Sequence, residues 1–256
     1  MIYPFVHGHV LRGEMTGIRQ ALFEKSERAA AFGAKIIFWT EGAAPLANDE
    51  WDAFLYQAKD FAVNHDVWLA PSVVMLRIGE EKNDNLALMI DPDGELVYRY
   101  EKTHSWYPTD SDGVIRTADT PWGRIGSVIC FDLDFPSFVQ QTGQKGVDIL
   151  MVPGYDTRTI SPFHTQAGLI RGVENGCSVV RMANESTSVA ADWRGNVIGW
   201  QDTFTTGDQV MIVDMPKKGR RTLYGMLGDW FAYADLMLVA VLILAAGLRK
   251  RTPGTV

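Results

Sequence analysis

Gly126-Ser127-Val128-Ile129-Cys130-Phe131-Asp132-Leu133-Asp134-Phe135-Pro136 is the stretch on which the fold turns. Ile125–Ile129 reads as a short apolar strand, and it stops at a thiol followed by an aromatic ring and a carboxylate. A short helix over about 136–143 leads on to a second apolar strand, Val147–Val152. Strand, sulfur, helix and strand make an α/β unit. In such folds, ligand and catalytic groups gather at strand ends and in the adjoining loops.

Working outward, the same grammar recurs. Ile36-Ile37-Phe38-Trp39 is wholly apolar, as in a buried strand, and ends at Thr40-Glu41-Gly42. Before it, residues 14–33 carry Ile18, Leu22, Ala29 and Phe32 at helical spacing, closed by Gly33. A helix over about 49–64 and a buried strand over Val67–Met75 follow. Asn85–Ile90 and Glu95–Tyr100 flank Asp91-Pro92-Asp93-Gly94, a strong hairpin turn, with Lys102 just after the second arm. Thr120-Pro121-Trp122-Gly123 is a further turn. Downstream come a helix over about 162–175, a strand Cys177–Met182, a hairpin around Trp193-Arg194-Gly195-Asn196 and a strand Gln209–Val213. Met1–Val6 reads as part of a strand, without the basic and apolar regions of a secretory signal. Alternating strands and helices with interspersed hairpins predict an α/β layered fold with a mixed sheet.

Composition narrows the function. The 256 residues are 46% hydrophobic and 21% charged, which excludes a disordered, collagenous or coiled-coil chain. The net charge is −7 with no basic run in the body, so nucleic acid is not an expected partner. Two cysteines exclude a disulfide scaffold and a four-cysteine zinc site. His104 and His164 lack a metal-ligand companion at helical spacing, so neither metal nor cofactor is expected.

Glu41, Lys102 and Cys130 each stand at the end of an apolar strand. A cysteine nucleophile needs a base, because the thiolate is the reactive species. A carboxylate such as Glu41 can take its proton and later activate an incoming nucleophile. An ammonium such as Lys102 favours the thiolate and stabilises a tetrahedral oxyanion. The three are a complete acyl-transfer set if they meet in space. The plainer alternative makes Cys130 a small core hydrophobe and Lys102 a solvated hairpin residue. Cys177 opens an apolar strand and reads as core, Arg171 and Glu174 as a structural helix pair, and Trp193 as a surface aromatic.

The flanking residues resemble a known family. Ile36–Pro45 around Glu41, Tyr100-Glu101-Lys102-Thr103-His104, and Gly126–Pro136 around Cys130 are similar, in order and spacing, to the three motifs of the nitrilase (carbon–nitrogen hydrolase) superfamily. The resemblance implies a four-layer α-β-β-α sandwich and a mechanism through a thioester. Glu41 would be general base, Lys102 the oxyanion and orienting group, and Cys130 the nucleophile, with the Phe131 N–H completing the oxyanion hole. Within the superfamily, His164, Arg171 and Glu174, and Thr222–Trp230, resemble the branch holding the hydrolase domain of the apolipoprotein N-acyltransferases. Where that branch carries glutamates eight residues after the lysine and two after the cysteine, this chain has Asp110 and Asp132, each one methylene shorter. Its aromatic substrate loop reads here Pro153-Gly154-Tyr155-Asp156.

Residues 230–248, WFAYADLMLVAVLILAAGL, hold one charge in nineteen positions. At 1.5 Å per residue they reach about 28 Å, close to the hydrocarbon core of a bilayer. Trp230 and Tyr233 suit one interface and Arg249-Lys250-Arg251 the cytoplasmic side. The mean hydropathy of −0.05 therefore averages an acidic body with an apolar tail. The last three cations account for three of the 24 basic residues, and without them the chain sums to −10. The expected organisation is a catalytic domain over 1–222, outside the cytoplasm of a bacterial-type cell, and a membrane helix with a basic cytoplasmic tail over 223–256. On this reading the chain is an N-terminally truncated form or fragment of a multi-span acyltransferase, or half of a split one. A multi-span portion or companion subunit would then complete it. The expected partners are a phospholipid acyl donor, an amine acceptor and the membrane. The alternatives are a nitrilase-type amidase acting on a small amide, and a non-catalytic interaction module of the same fold.

Overall fold

A computed structural model describes residues 12–77, 83–206 and 210–249. The strand expected at Met1–Val6 lies outside the described residues. Helices α1 (Arg12–Ala31) and α2 (Trp51–His65) flank strands β1 (Ile36–Phe38) and β2 (Ala44–Ala47) in the chain. Strands β3 (Trp68–Ala70), β4 (Ser72–Leu76), β5 (Asp84–Ile90) and β6 (Leu96–Glu101) complete a first sheet. β1 runs parallel to β3 and β2 parallel to β4, while β5 lies antiparallel to β3, β4 and β6.

The expected strand Val67–Met75 is thus two strands interrupted at Pro71, which has no N–H for the ladder. Beside that break, β1 and β2 are interrupted between Phe38 and Ala44. β2 was hidden in the sequence by Pro45, which is tolerated there because β2 is an edge strand.

The second sheet holds β7 (Thr117–Thr120), β8 (Gly123–Ser127), β9 (Ile149–Tyr155), β10 (Ser178–Asn184), β11 (Thr187–Ala191) and β12 (Val197–Asp202), in the order β12-β11-β10-β9-β8-β7. β8, β9 and β10 are parallel and the outer pairings antiparallel. Helix α3 (Pro136–Gln144) follows β8 after a 3-10 turn at Cys130–Asp134, and α4 (Ser161–Asn175) joins β9 to β10. Short helices α5 (Thr203–Thr206) and α6 (Leu223–Leu227) precede the long α7 (Trp230–Arg249).

Period-two alternation assigns each strand to two cores. In β5, Leu86, Leu88 and Ile90 face α1 and α2 with Phe23, Phe54 and Phe61, while Ala87 and Met89 face the second sheet. In β9, Ile149 and Met151 enter the space between the sheets, and Leu150 and Val152 pack with Leu133 and Val139. The apolar runs follow from this burial on both faces, and the layers run α-β-β-α as expected. Tyr98 and Ser127 bridge the sheets by a 2.7 Å hydroxyl hydrogen bond. On the outer side, α4 lies tight against β10: a Cβ on Gly172 would sit 2.7 Å from Val179 Cγ2 and 2.9 Å from the Cys177 carbonyl oxygen.

Two expectations need correction here. Residues 210–213 belong to no strand; Met211 and Val213 pack against the inter-sheet core while Val210 and Ile212 face out. Their alternation records packing at the core's edge, without a ladder partner among the described residues. Phe32, counted on the inner face of the first helix, lies beyond its end and is exposed. α7 is the one described helix long and apolar enough to cross a bilayer, and no residue of Trp230–Gly247 is buried in the body.

Candidate active site

The break between β1 and β2 positions Glu41. Gly42, at φ 57°, turns the chain there, and its N–H donates to Ser72 Oγ at 3.0 Å. Glu41 therefore leaves the sheet and turns inward, its side chain only 9% exposed. Its Oε1 accepts from Asn85 Nδ2 at 2.7 Å and from Lys102 Nζ at 2.6 Å. Lys102 follows β6 directly, with its own N–H on the Asn85 carbonyl at 2.9 Å. Burial alone would lower the Lys102 pKa. The charges of Glu41, Cys130 and Asp132, with the Glu41 hydrogen bond, outweigh it and raise the pKa above the usual lysine value.

Cys130 opens the 3-10 turn with φ 47°. A left-handed conformation at a residue with a side chain costs about 1–3 kcal/mol and persists only where surroundings enforce it. Asp132 does the enforcing. Its fully buried carboxylate accepts from Ile129 N–H (2.9 Å), Tyr100 OH (2.5 Å), His104 N–H (2.7 Å) and His104 Nδ1 (3.1 Å). The Cys130 thiol points to the Tyr155 carbonyl at 3.5 Å and to Asp156 Oδ1 at 3.8 Å. Burial pushes the thiol pKa well above its ordinary value, Glu41 and Asp156 push it further, and Lys102 opposes them. The resting arrangement is thus a neutral thiol beside a carboxylate–ammonium pair.

Asp156 opens a network the sequence did not reveal. Its Oδ2 accepts from Arg181 Nη2 at 2.6 Å and Ser186 Oγ at 2.7 Å, and its Oδ1 meets His164 Nδ1 at 2.8 Å. Arg181 is fully buried in the middle of β10. Gly154 leaves room for it, since a Cβ there would come 2.9 Å from its Nη2. Burial raises the Asp156 pKa, but the His164 bond and the Arg181 charge prevail and hold it below the usual range. The thiol, Asp156 and His164 lie within 4.8 Å of one another, close enough to share a metal ion. A cation would have to displace Asp156's hydrogen bonds beside the Arg181 guanidinium, so the set reads as a hydrogen-bonded chain.

The remaining sequence candidates take different places around the thiol. Phe131 is half-buried; its ring stacks on exposed Trp106 at 5.6 Å and meets Phe135 edge-on at 5.3 Å. Asp110 is exposed on the loop after Lys102, where its N–H donates to Glu101 Oε1 at 2.9 Å. Pro153, Gly154 and Tyr155, expected in a substrate loop, are the last residues of β9, paired with Met182, Ala183 and Asn184. β9 can hold a proline there because β8 pairs with it only as far as Met151. Arg171 pairs with Glu174 and donates from Nε to the Leu133 carbonyl at 3.1 Å, bracing the cysteine's turn. Cys177 is fully buried core. The sequence assigned no role to Asn85, Asp134, Asp156, Arg181 or Ser186. One signal was present: Arg181 is a charge inside the run Ser178-Val179-Val180-Arg181-Met182, which demands a buried partner.

Comparison with known proteins places the chain in a family and a fold. The sequence pattern of the carbon–nitrogen hydrolase family matches residues 14–223. The chain is 26% identical over 226 residues to a deaminated glutathione amidase of Yersinia enterocolitica, covering 73% of this chain and 78% of that protein. It is also 26% identical over 260 residues to an apolipoprotein N-acyltransferase of Geobacter metallireducens, covering 90% of this chain and 50% of that protein. The chain thus spans about half the length of that acyltransferase relative. Among solved structures, an amidase from Nesterenkonia sp. shares the fold with a TM-score of 0.67 at 17% identity, over 80% of this chain and 86% of that one.

Proposed function

This chain belongs to the carbon–nitrogen hydrolase family, and on that premise we propose that it is a membrane-attached N-acyltransferase of the apolipoprotein type, working through a thioester on Cys130. Glu41 accepts the thiol proton as sulfur attacks the ester carbonyl of a phospholipid. Lys102 and the Phe131 N–H carry the developing oxyanion. Collapse breaks the C–O bond, and the proton held by Glu41 passes to the departing lysophospholipid hydroxyl. An amine then attacks the thioester, Glu41 takes its proton, and the thiol is regenerated as the amide forms. Residues 1–222 supply the chemistry outside the cytoplasm, and 223–256 supply the membrane helix and basic cytoplasmic end.

The observation that carries this reading is α7: the eighteen residues Trp230–Gly247, apolar but for Asp235, follow the catalytic body and none of them is buried in it. Exposing such a surface to water is unfavourable by about 25 cal/mol per Å², and a bilayer removes that penalty. A second reading, a nitrilase-type amidase with water as acceptor, draws support from the amidase relative, which the match covers over 78% of its length.

Incubation of the full chain in vesicles with acyl-labelled phospholipid tests both. A hydroxylamine-sensitive acyl adduct that disappears in Cys130→Ala is the expected result. A label that persists in Cys130→Ala overturns the nucleophile. No label, together with turnover of small amides, overturns the transferase in favour of the amidase.

A further inference from the structure

Every element packed around Cys130 brings charge to it or is neutral. Glu41 comes from the β1–β2 break and Lys102 from the end of β6. Asp132 and Asp134 belong to the cysteine's own turn, and Asp132 is saturated by four hydrogen bonds. α3 presents no charged side chain. Asp156 follows β9, Arg181 comes from β10, and His164 from α4, where Arg171 and Glu174 pair with each other. Asp156 is the carboxylate in contact with the sulfur, and one of its oxygens, Oδ1, lies between Sγ at 3.8 Å and His164 Nδ1 at 2.8 Å.

His164 is held at both ring nitrogens by carboxylates: Nδ1 by Asp156 and Nε2 by Asp134 at 3.3 Å. An ionised carboxylate only accepts hydrogen bonds, so the form of the ring that satisfies both contacts at once is the imidazolium. We propose that His164 is a positioning residue for the nucleophile: clamped between Asp134 and Asp156, its positive charge offsets the carboxylate beside Cys130 and keeps the thiol within reach of deprotonation. Without it, Asp156 keeps Arg181 and Ser186 on Oδ2, but Oδ1 faces the sulfur uncompensated, and a like charge disfavours the thiolate. The Asp156 hydrogen bond raises the His164 pKa above its usual value against the opposing effect of burial. The role rests on the reading of Cys130 as nucleophile.

The test measures the thiol directly, without acyl donor. In the full chain carrying Cys177→Ala, which removes the other cysteine, the rate of Cys130 alkylation by iodoacetamide is followed against pH. His164→Gln moves the curve to higher pH and slows alkylation at pH 7.5 about three- to tenfold, the equivalent of half to one pKa unit. Asp134→Asn shifts it the same way by less, and because Asp134 is partly exposed this variant decides the matter if His164→Gln fails to fold. Asp156→Asn shifts it to lower pH. Curves for His164→Gln and Asp134→Asn that superpose on the parent overturn the proposal. Shifts of His164→Gln and Asp156→Asn in the same direction also overturn it, since charge predicts opposite signs and packing does not. Persistent acyl labelling of Cys130→Ala instead removes the nucleophile itself, a separate failure read in a separate assay.

Discussion

Oε1 of Glu41 is shared by Lys102 Nζ at 2.6 Å and Asn85 Nδ2 at 2.7 Å. Two donors thus converge on one carboxylate oxygen, and the Asn85 carbonyl takes the Lys102 backbone N–H. β5 and the end of β6 therefore fix both partners before any substrate arrives, which is the preorganisation that electrostatic catalysis requires.

Glu41→Gln keeps a similar shape and removes the base. Acylation of Cys130 should fall by at least about a hundredfold, the usual contribution of a positioned general base, with circular dichroism unchanged. Normal acylation would remove Glu41 from the mechanism. Lys102→Met instead strands a side chain only 9% exposed. Breaking a buried pair from one side costs about 3 kcal/mol or more, so this variant should also lower the melting temperature, and Glu41→Gln should lower it less.

Stability should carry the signature of Asp156 and His164. Asp156 lies below its ordinary 3.8, so its contribution is present above that value and lost as pH falls through the lower folded pKa. His164 lies above 6.5, so its contribution is complete below 6.5 and lost as pH rises through the higher folded pKa. The pair stabilises most between about pH 4 and 6.5. Melting temperatures of the parent should decline on both flanks of that window. His164→Gln should flatten the alkaline flank, and an unchanged flank would place the titrating group elsewhere.

Gly172→Ala introduces a methyl 2.7 Å from Val179 Cγ2, with the Cys177 carbonyl 2.9 Å away. Backbone cannot yield as a flexible side chain can, so α4 must move off β10, at about 1–3 kcal/mol. α4 carries His164, so a fall in melting temperature should be accompanied by slower alkylation of Cys130.

Much of this was legible because apolar strands announce their own ends. Glu41, Lys102 and Cys130 each follow a strand whose inward positions are apolar, and the flanking motifs supplied their order. Glu41's place in a break between two short strands was not legible, because Pro45 and Pro71 disguise edge and interrupted strands as loops. Arg181 signalled a buried partner, but nothing local could select Asp156 from 31 acidic residues. Such pairings form between segments distant in the chain. Pro153–Tyr155 misled for a related reason: proline and glycine usually mark a loop, and here the parallel ladder with β10 overrides them.

Val239→Arg sets a charge near the middle of α7, whose side chains at that level are exposed to whatever surrounds the helix. A mid-bilayer arginine costs about 2.5–3.5 kcal/mol on insertion scales. The variant should leave the membrane fraction on alkaline carbonate extraction more readily than the parent. Equal retention would argue that α7 is held by protein instead of lipid.

The carboxylate of Asp132 takes both hydrogen bonds from His104 on the loop after Lys102 while also gripping the Ile129 N–H at the cysteine's turn. Loop and sulfur therefore hang from a single peg. A ligand that pries the loop outward loosens the geometry of the attacking atom, and one that presses it inward tightens that geometry. The position of that loop and readiness to react are one mechanical variable.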